Sequence, residues 1–510
     1  MRLHLTYMST RKALLSLLVL CPLLVQAQEK ASEKYVDAIN VTTLREDLTI
    51  LASDALEGRE TGSRGQQMAA AFIKAHFESL GLAGPVNGDY YQPVTLYTSV
   101  PGNIYVTAGQ QQFRNFEDIV YYGTSDSDGE VSSQLIFAGN GTDEEMNNVD
   151  IAGKCVLIRM QNEGSFRGPV AAARERNAKM IFLYFEDEAA FANLRDQFKS
   201  FLGGGSLSLT KPEKSANANA GVFFLSAKTA AALMKSTPQK LAAATVEKAG
   251  KNAVKKIKPA TVTYQTEMSV KLLKSSNVLG YLEGTDKKDE LIVITAHYDH
   301  IGKKSSGTGD LINNGADDDG SGTVGVMALA TAFAKAKENG HGPRRSILFM
   351  TVTGEEKGLL GSDFYTQNPV FPLESTMVNL NIDMVGRRDP QHKDSAPYVY
   401  VIGSDKLSSK LHELSERVNR ENLNLIFDYT YNDQNHPDRL YYRSDHWNFA
   451  KNNIPIIFYF DGIHEDYHKP SDEVDKIEFD LLEKRVRTVY YTAWELANMD
   501  ERITPDVKGN

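Results

Sequence analysis

The sequence predicts an α/β protein: a mostly parallel mixed sheet sandwiched by helices, with a smaller β-rich module inserted. Three observations predict it. After about Thr261, apolar strand-like runs alternate with helical patterns almost to the last residues, as a parallel sheet covered on both faces requires. Between about Val131 and Met234 the texture changes to short strands around one helix. The length, 510 residues, exceeds what one ordinary core serves, so two domains are expected.

In chain order, Arg2, Arg11 and Lys12 precede an apolar run from Ala13 to Val25, and Val25 and Ala27 are spaced as at a cleavage site. That predicts a signal peptide over residues 1–27 and a protein exported to a periplasmic or extracellular space. The apolar run falls short of the roughly 20 residues of a spanning helix. It also contains Pro22, so no stable membrane insertion is expected. Leu20 is too bulky to precede a lipidated Cys21, and cleavage would leave Cys155 without a disulfide partner. A net charge of -10 argues against a nucleic-acid or anionic-membrane partner.

Helices are expected over Val41–Leu51 and Gly65–Leu80, the latter with Met68, Ala71, Phe72, Ala75 and Phe77 at helical spacing. The loop between them, SDALEGRETGSRG, alone reads as a surface turn. The runs SQLIFAGNG, CVLIRM, MIFLYF and VFFLSAKTAAALM outline the inserted module over residues 121–255, between catalytic segments at 28–120 and 256–503. The polar stretch from Gly203 to Gly221 cannot be core, and the lysines between Glu247 and Lys258 read as a solvated linker, since no aromatic is interleaved with them.

In open α/β sheets ligands bind beyond the carboxyl ends of the strands. That rule selects His297 after LIVITA, Glu355 and Glu356 after ILFMTV, Asp383 after MVNLNI, and Tyr467-His468 after PIIFYF, with Asp317-Asp318-Asp319 opening a Gly/Ala-rich helix. Each has an ordinary structural reading: a bonded histidine, a helix cap, a carboxylate facing a helix dipole. Their joint occurrence at equivalent strand ends points instead to a metal site. Two divalent ions are balanced by three carboxylates and a hydroxide, with two neutral imidazoles. Such N/O donors suit zinc, with manganese or cobalt as alternatives. Two such ions would activate a bridging water, which favours hydrolysis. Glu355, beside the candidate ligand Glu356, is placed as general base and acid.

His297-Tyr-Asp299, the Gly315 to Gly322 run, Gly354-Glu355-Glu356, Asn381-Ile-Asp383 and Tyr467-His468, together with the Gly58-Arg59-Glu60 and Gly62-Ser63-Arg64-Gly65 loop, resemble the co-catalytic zinc aminopeptidase family, which also holds glutamate carboxypeptidases and glutaminyl cyclases. The resemblance implies two Zn2+ on His297, Asp318, Glu356, Asp383 and His468, with Asp318 bridging and Asp317 as the alternative register. It further implies that the Asp299 carboxylate orients His297, that Tyr467 donates to the oxyanion, and that the Asp318–Asp319 peptide is cis. The module at 121–255 resembles a protease-associated domain, which in that family covers or borders the active site. Peptides are the implied substrates, cut from the N-terminus by a metal-bridging hydroxide. A carboxypeptidase would need a cation for the substrate carboxylate, available from Arg387, Arg388 or Arg443. A single-zinc cyclase and a non-catalytic receptor are the remaining alternatives.

Ser444-Asp445-His446 resembles a segment lining the site. His300 and His464 read as structural or supporting groups. For His341, His392, His412 and His436 a solvated place is expected.

Overall fold

The computed structural model describes residues 32–507 except 124–125, 161–165, 203–205, 212–219, 251–252 and 305–306. The expected signal peptide, Cys21 included, lies outside the described residues, as does most of the Gly203 to Gly221 stretch. No helix among the described residues is long and apolar enough to cross a membrane. The chain forms two units, one running to Thr95 and resuming at Lys274, the other spanning Leu96–Leu273. The second is wider than the module expected at 121–255.

In the first unit, seven strands lie in the order Ile426–Asp428, Tyr398–Ile402, Ile456–Phe460, Thr376–Ile382, Lys287–His297, Arg345–Val352, then residues 278–282 of Ala260–Leu282. The middle four are mutually parallel: Ile382 pairs with Tyr459, Thr295 with Asn381, and His297 with Val352. Their neighbours Tyr398–Ile402 and 278–282 run antiparallel to them. This is a mixed sheet flanked by helices, as the alternating texture predicts.

The period of two in each strand sorts side chains between two cores. Ile292, Ile294, Ile347, Phe349, Leu380 and Ile457 face one core with Val324, Phe333, Val486 and Trp494 from helices Gly322–Glu338 and Phe479–Asn498. Val293, Leu348, Met350 and Phe458 face the other with Tyr365 and Phe449. Burying each such side chain contributes about 1.5–3 kcal/mol, which is why these strands read as unbroken apolar runs.

Arg345–Val352, Lys287–His297, Thr376–Ile382 and Ile456–Phe460 therefore end together at one edge of the sheet, each releasing its chain into a loop. That edge holds the site.

The second unit orders 260–264 of Ala260–Leu282, then Val131–Phe137, Cys155–Met160, Met180–Phe185, Val222–Ser226 and Ile119–Tyr122. Its core includes Phe182, Tyr184, Phe223 and Leu225. Cys155 is buried there, and burial pushes its thiol up to about 11, which leaves it inert. Two long strands, Tyr91–Ala108 and Ala260–Leu282, connect the units in sequence. Neither was legible as one strand: Pro93, Pro101 and Gly102 interrupt the first, and the middle of the second is polar.

Candidate metal centre

The turn Ala316–Ser321 brings the acidic triplet under the sheet edge, and its Asp318–Asp319 peptide is cis, as expected. The three carboxylates go to three places. Asp318 directs Oδ1 to within 3.2 Å of His297 Nε2 and Oδ2 to within 3.0 Å of His468 Nε2. Asp317 turns away to His464 Nε2 at 3.2 Å and accepts the Gly386 N–H. Asp319 accepts three backbone N–H groups, from His297 at 3.0 Å, Gly322 at 2.9 Å and Met384 at 3.1 Å. Of the two registers considered, the structure puts Asp318 between the histidines.

The glycines of this turn have local causes. Gly315 is left-handed (φ 56), and a Cβ there would sit 2.3 Å from the Asp318 carbonyl and 2.6 Å from the His300 ring. At Gly322 a Cβ would lie 2.3 Å from Asp319 Oδ1 and 2.5 Å from the Ile382 carbonyl, so a side chain would displace the bond network itself.

Around Asp318 the predicted residues converge. Asp383 Oδ1 lies 3.6 Å from His297 Nε2, while its Oδ2 accepts from Ser444 Oγ at 2.6 Å. Glu356 Oε2 is 3.1 Å from His468 Nε2. Glu355 Oε2 stands 3.8 Å from His297 Nε2 and lines a small cavity of about 30 Å3 together with Tyr467 and Arg443. Two donor triplets result, His297–Asp318–Asp383 and His300–Asp318–Glu356. His468 and the next-strand residue Met384 are both left-handed (φ 56 and 55), a strain that proteins retain where a side chain must be aimed.

Asp299 departs from expectation. Its carboxylate is 4.0 Å from His297 Nδ1, and the group bonded to that nitrogen is the Asp299 main-chain carbonyl at 3.0 Å. The carboxylate is engaged elsewhere, accepting from Thr61 Oγ1 at 2.7 Å and from the Glu355 N–H at 3.2 Å. It therefore fixes the loop that carries Glu355.

His392 is another correction. It is not solvated but pairs with Asp428 at 2.9 Å and stacks on Tyr398. Arg387 and Arg388 are committed to Asp466 and Glu478 at 3.1 and 3.0 Å. Only Arg443 of the three arginines lines the cavity.

Sequence reasoning missed two supports. Thr295 donates to Asn381 and Asn381 to Ser444, at 2.6 and 2.8 Å, a relay that ends on Asp383. A polar residue inside each apolar strand was its only signal. Arg59, in the loop read as a surface turn, is 1% exposed. It donates to the carbonyls of Leu51, Tyr298, Asn314 and Gly315, clamping the segment between His297 and the acidic turn.

The electrostatics are those of a cation site. Burial raises Glu355 well above the carboxylate range, reinforced by Asp383 and Glu356 against the pull of His297. Burial would lower His297, but Glu355, Asp383 and Asp318 outweigh it and hold the imidazole high. Burial likewise opposes charge on His468, yet Asp318 and Glu356 lift it to about 10. Protons here stand in for positive charge that the carboxylates demand. Several donor atoms, Asp318 Oδ2, Glu356 Oε1 and His468 Nε2 among them, are buried without a hydrogen-bond partner. Since buried polar atoms are seldom left unpaired, and the donors are imidazole and carboxylate, the residues fit divalent transition ions such as zinc.

Residues 277–493, which include every residue of this cluster, match the family model described as peptidase family M28. This stretch is a peptidase family M28 domain. A "probable zinc metalloprotease" of Pyrenophora teres f. teres is 28% identical over 281 residues, covering 45% of this chain and 54% of that protein. A "probable leucine aminopeptidase" of Trichophyton verrucosum is 26% identical over 217 residues, 41% of this chain and 55% of its own length. The chain thus spans about half the length of these two curated relatives. Among solved structures, an aminopeptidase from Aneurinibacillus sp. strain AM-1 superposes with a TM-score of 0.58 at 19% identity, covering 94% of this chain and 98% of that one. At that identity the likeness concerns the fold, and it places the M28 domain in the mixed α/β architecture described above.

Proposed function

We propose that the protein is an exported two-zinc metallopeptidase that removes N-terminal residues from peptides. The observation that carries this reading is the Asp318 carboxylate, whose oxygens face His297 on one side and His468 on the other. One ion would be held by His297, Asp318 and Asp383, the other by Asp318, Glu356 and His468. When bound, the pair supplies Lewis acidity toward a water and the scissile carbonyl.

The chain's own residues supply the rest. Glu355 is held by its backbone bond to Asp299 and lies outside both ligand sets, so its carboxylate takes the water's proton and returns it to the departing amine. Burial raises the Tyr467 phenol, and the charges of Asp318, Glu356 and Glu355 raise it further. It stays protonated and donates to the developing oxyanion. Met384, Leu440, Phe458, Phe460 and Ile463 give the cavity an apolar wall. The signal peptide at 1–27 and a protease-associated module within Leu96–Leu273 belong to the same reading.

The test is Glu355→Gln. Turnover of aminoacyl substrates is expected to fall by roughly 100- to 10,000-fold while zinc content stays at wild-type. Persistent activity sinks the proposal.

One observation favours a second reading. Arg443 lines the cavity and could meet a substrate carboxylate, as a carboxypeptidase requires. Cleavage of N-terminally blocked but not C-terminally blocked peptides would favour it. The reverse pattern supports an aminopeptidase.

A further inference from the structure

His300 belongs to the second donor triplet but to neither ligand set of the proposed function. Its ring is fully buried, and neither ring nitrogen has a hydrogen-bond partner. A buried imidazole in that state is costly unless something else satisfies it. Nδ1 lies 2.7 Å from Glu356 Oε1 and 3.8 Å from Asp318 Oδ2. The close approach to Glu356 lacks hydrogen-bond alignment, since both atoms remain unpaired. A common ion would satisfy both atoms at once.

The ring is fixed there from outside. The His300 N–H donates to the Arg59 carbonyl at 3.1 Å, and Gly315 leaves the space in which the imidazole lies. His468 approaches from the other side, its ring centroid 5.7 Å from that of His300. Around Asp318 Oδ2 and the two Glu356 oxygens, His300 Nδ1 stands at 3.8 and 2.7 Å and His468 Nε2 at 3.0 and 3.1 Å. Bonds of about 2.0–2.2 Å to one tetrahedral zinc imply edges of about 3.3–3.6 Å, so an ion would spread the three shorter approaches and draw in the longest by a few tenths of an ångström.

We infer that His300 Nδ1 is a fourth protein ligand of the ion shared by Asp318, Glu356 and His468. The inference rests on the metallopeptidase reading and deepens it. The two positions are then unequal. The ion on His297, Asp318 and Asp383 has three protein donors and keeps room for water and substrate beside Glu355. The ion beside His300 would have four protein donors, would share the water only by taking a fifth ligand, and would exchange more slowly.

The deciding experiment is a crystal structure of the full chain loaded with zinc. His300 Nδ1 at about 2.0–2.1 Å from the ion beside Glu356 is expected. An ion seated on Asp318, Glu356 and His468 with Nδ1 beyond about 3 Å overturns the inference and leaves the metallopeptidase reading standing. No zinc in the cluster defeats both. In parallel, His300→Ala should weaken retention of one zinc of the pair, followed by competition with a chelator, by more than about 100-fold. A loss of only about 10- to 100-fold is the signature of a supporting hydrogen bond and counts against ligation. The wild-type structure decides the matter even if this variant does not fold.

Discussion

The Asp319 carboxylate accepts the backbone N–H of His297 at 3.0 Å and joins that strand end to the start of helix Gly322–Glu338 and, through Met384, to the end of strand Thr376–Ile382. One buried side chain thereby sets the spacing of the chain at His297, Asp318 and Asp383. Asp319→Asn presents an N–H2 group where an acceptor is needed and leaves at least one buried donor unpaired. A loss of about 1–3 kcal/mol is expected in urea unfolding of the metal-free protein. Stability equal to wild-type would show that these bonds do not hold the turn.

Arg59→Lys keeps the charge but not the geometry. A single ammonium cannot reach the four carbonyls that the guanidinium serves. We expect a loss of about 2–5 kcal/mol and weaker zinc binding, since the loop linking His297 to the acidic turn loses its clamp. Calorimetry with and without added zinc measures both.

His446 makes stability acid-sensitive. Burial depresses it to about 3, against the pull of its bond to the Tyr441 carbonyl, and its ring stacks on Phe458. The folded protein keeps the ring neutral while the unfolded chain takes a proton below about pH 6.5. The contribution is therefore complete above pH 6.5 and is lost as the pH falls toward about 3. By pH 5 the cost is about 2 kcal/mol. His446→Gln should flatten the difference between unfolding at pH 7 and pH 5; an unchanged difference removes His446 as its source.

Chelation should lower the melting temperature. Without ions, Asp318, Glu355, Glu356 and Asp383 share one buried space. Zinc at about 100 times its dissociation constant adds about 2.7 kcal/mol, because the unfolded chain has no assembled site. A melting curve indifferent to chelator and to zinc would mean that the cluster holds no ion.

The catalytic unit was legible because its chemistry sits where a rule puts it. Apolar runs with two buried faces declared the strands, and their carboxyl ends pointed to His297, Glu356, Asp383 and His468. What stayed hidden depends on three-dimensional approach. Arg59 looked like a turn residue because its four acceptors are main-chain carbonyls that carry no sequence signature. Asp299 was expected to act through its side chain, but its main-chain carbonyl, which carries no sequence signature, meets His297 instead. Asn381 and Thr295 were visible only as polar residues in apolar strands, and His300 had no required function left to fill. The long strands Tyr91–Ala108 and Ala260–Leu282 lacked both alternation and continuous apolarity.

The four parallel strands that end at the site are not consecutive in the chain, and the segment from His297 to His468 must be threaded through the sheet before the cluster exists. No hairpin or single βαβ unit contains both faces of Asp318's surroundings. Strand Ile456–Phe460 must dock beside Thr376–Ile382 before the His468 loop can close over Glu356. Tight ion capture is thus an event of late folding, set by contacts of high sequence separation. A time course of zinc uptake during refolding would report completion of the whole sheet, where far-ultraviolet signals record only its parts.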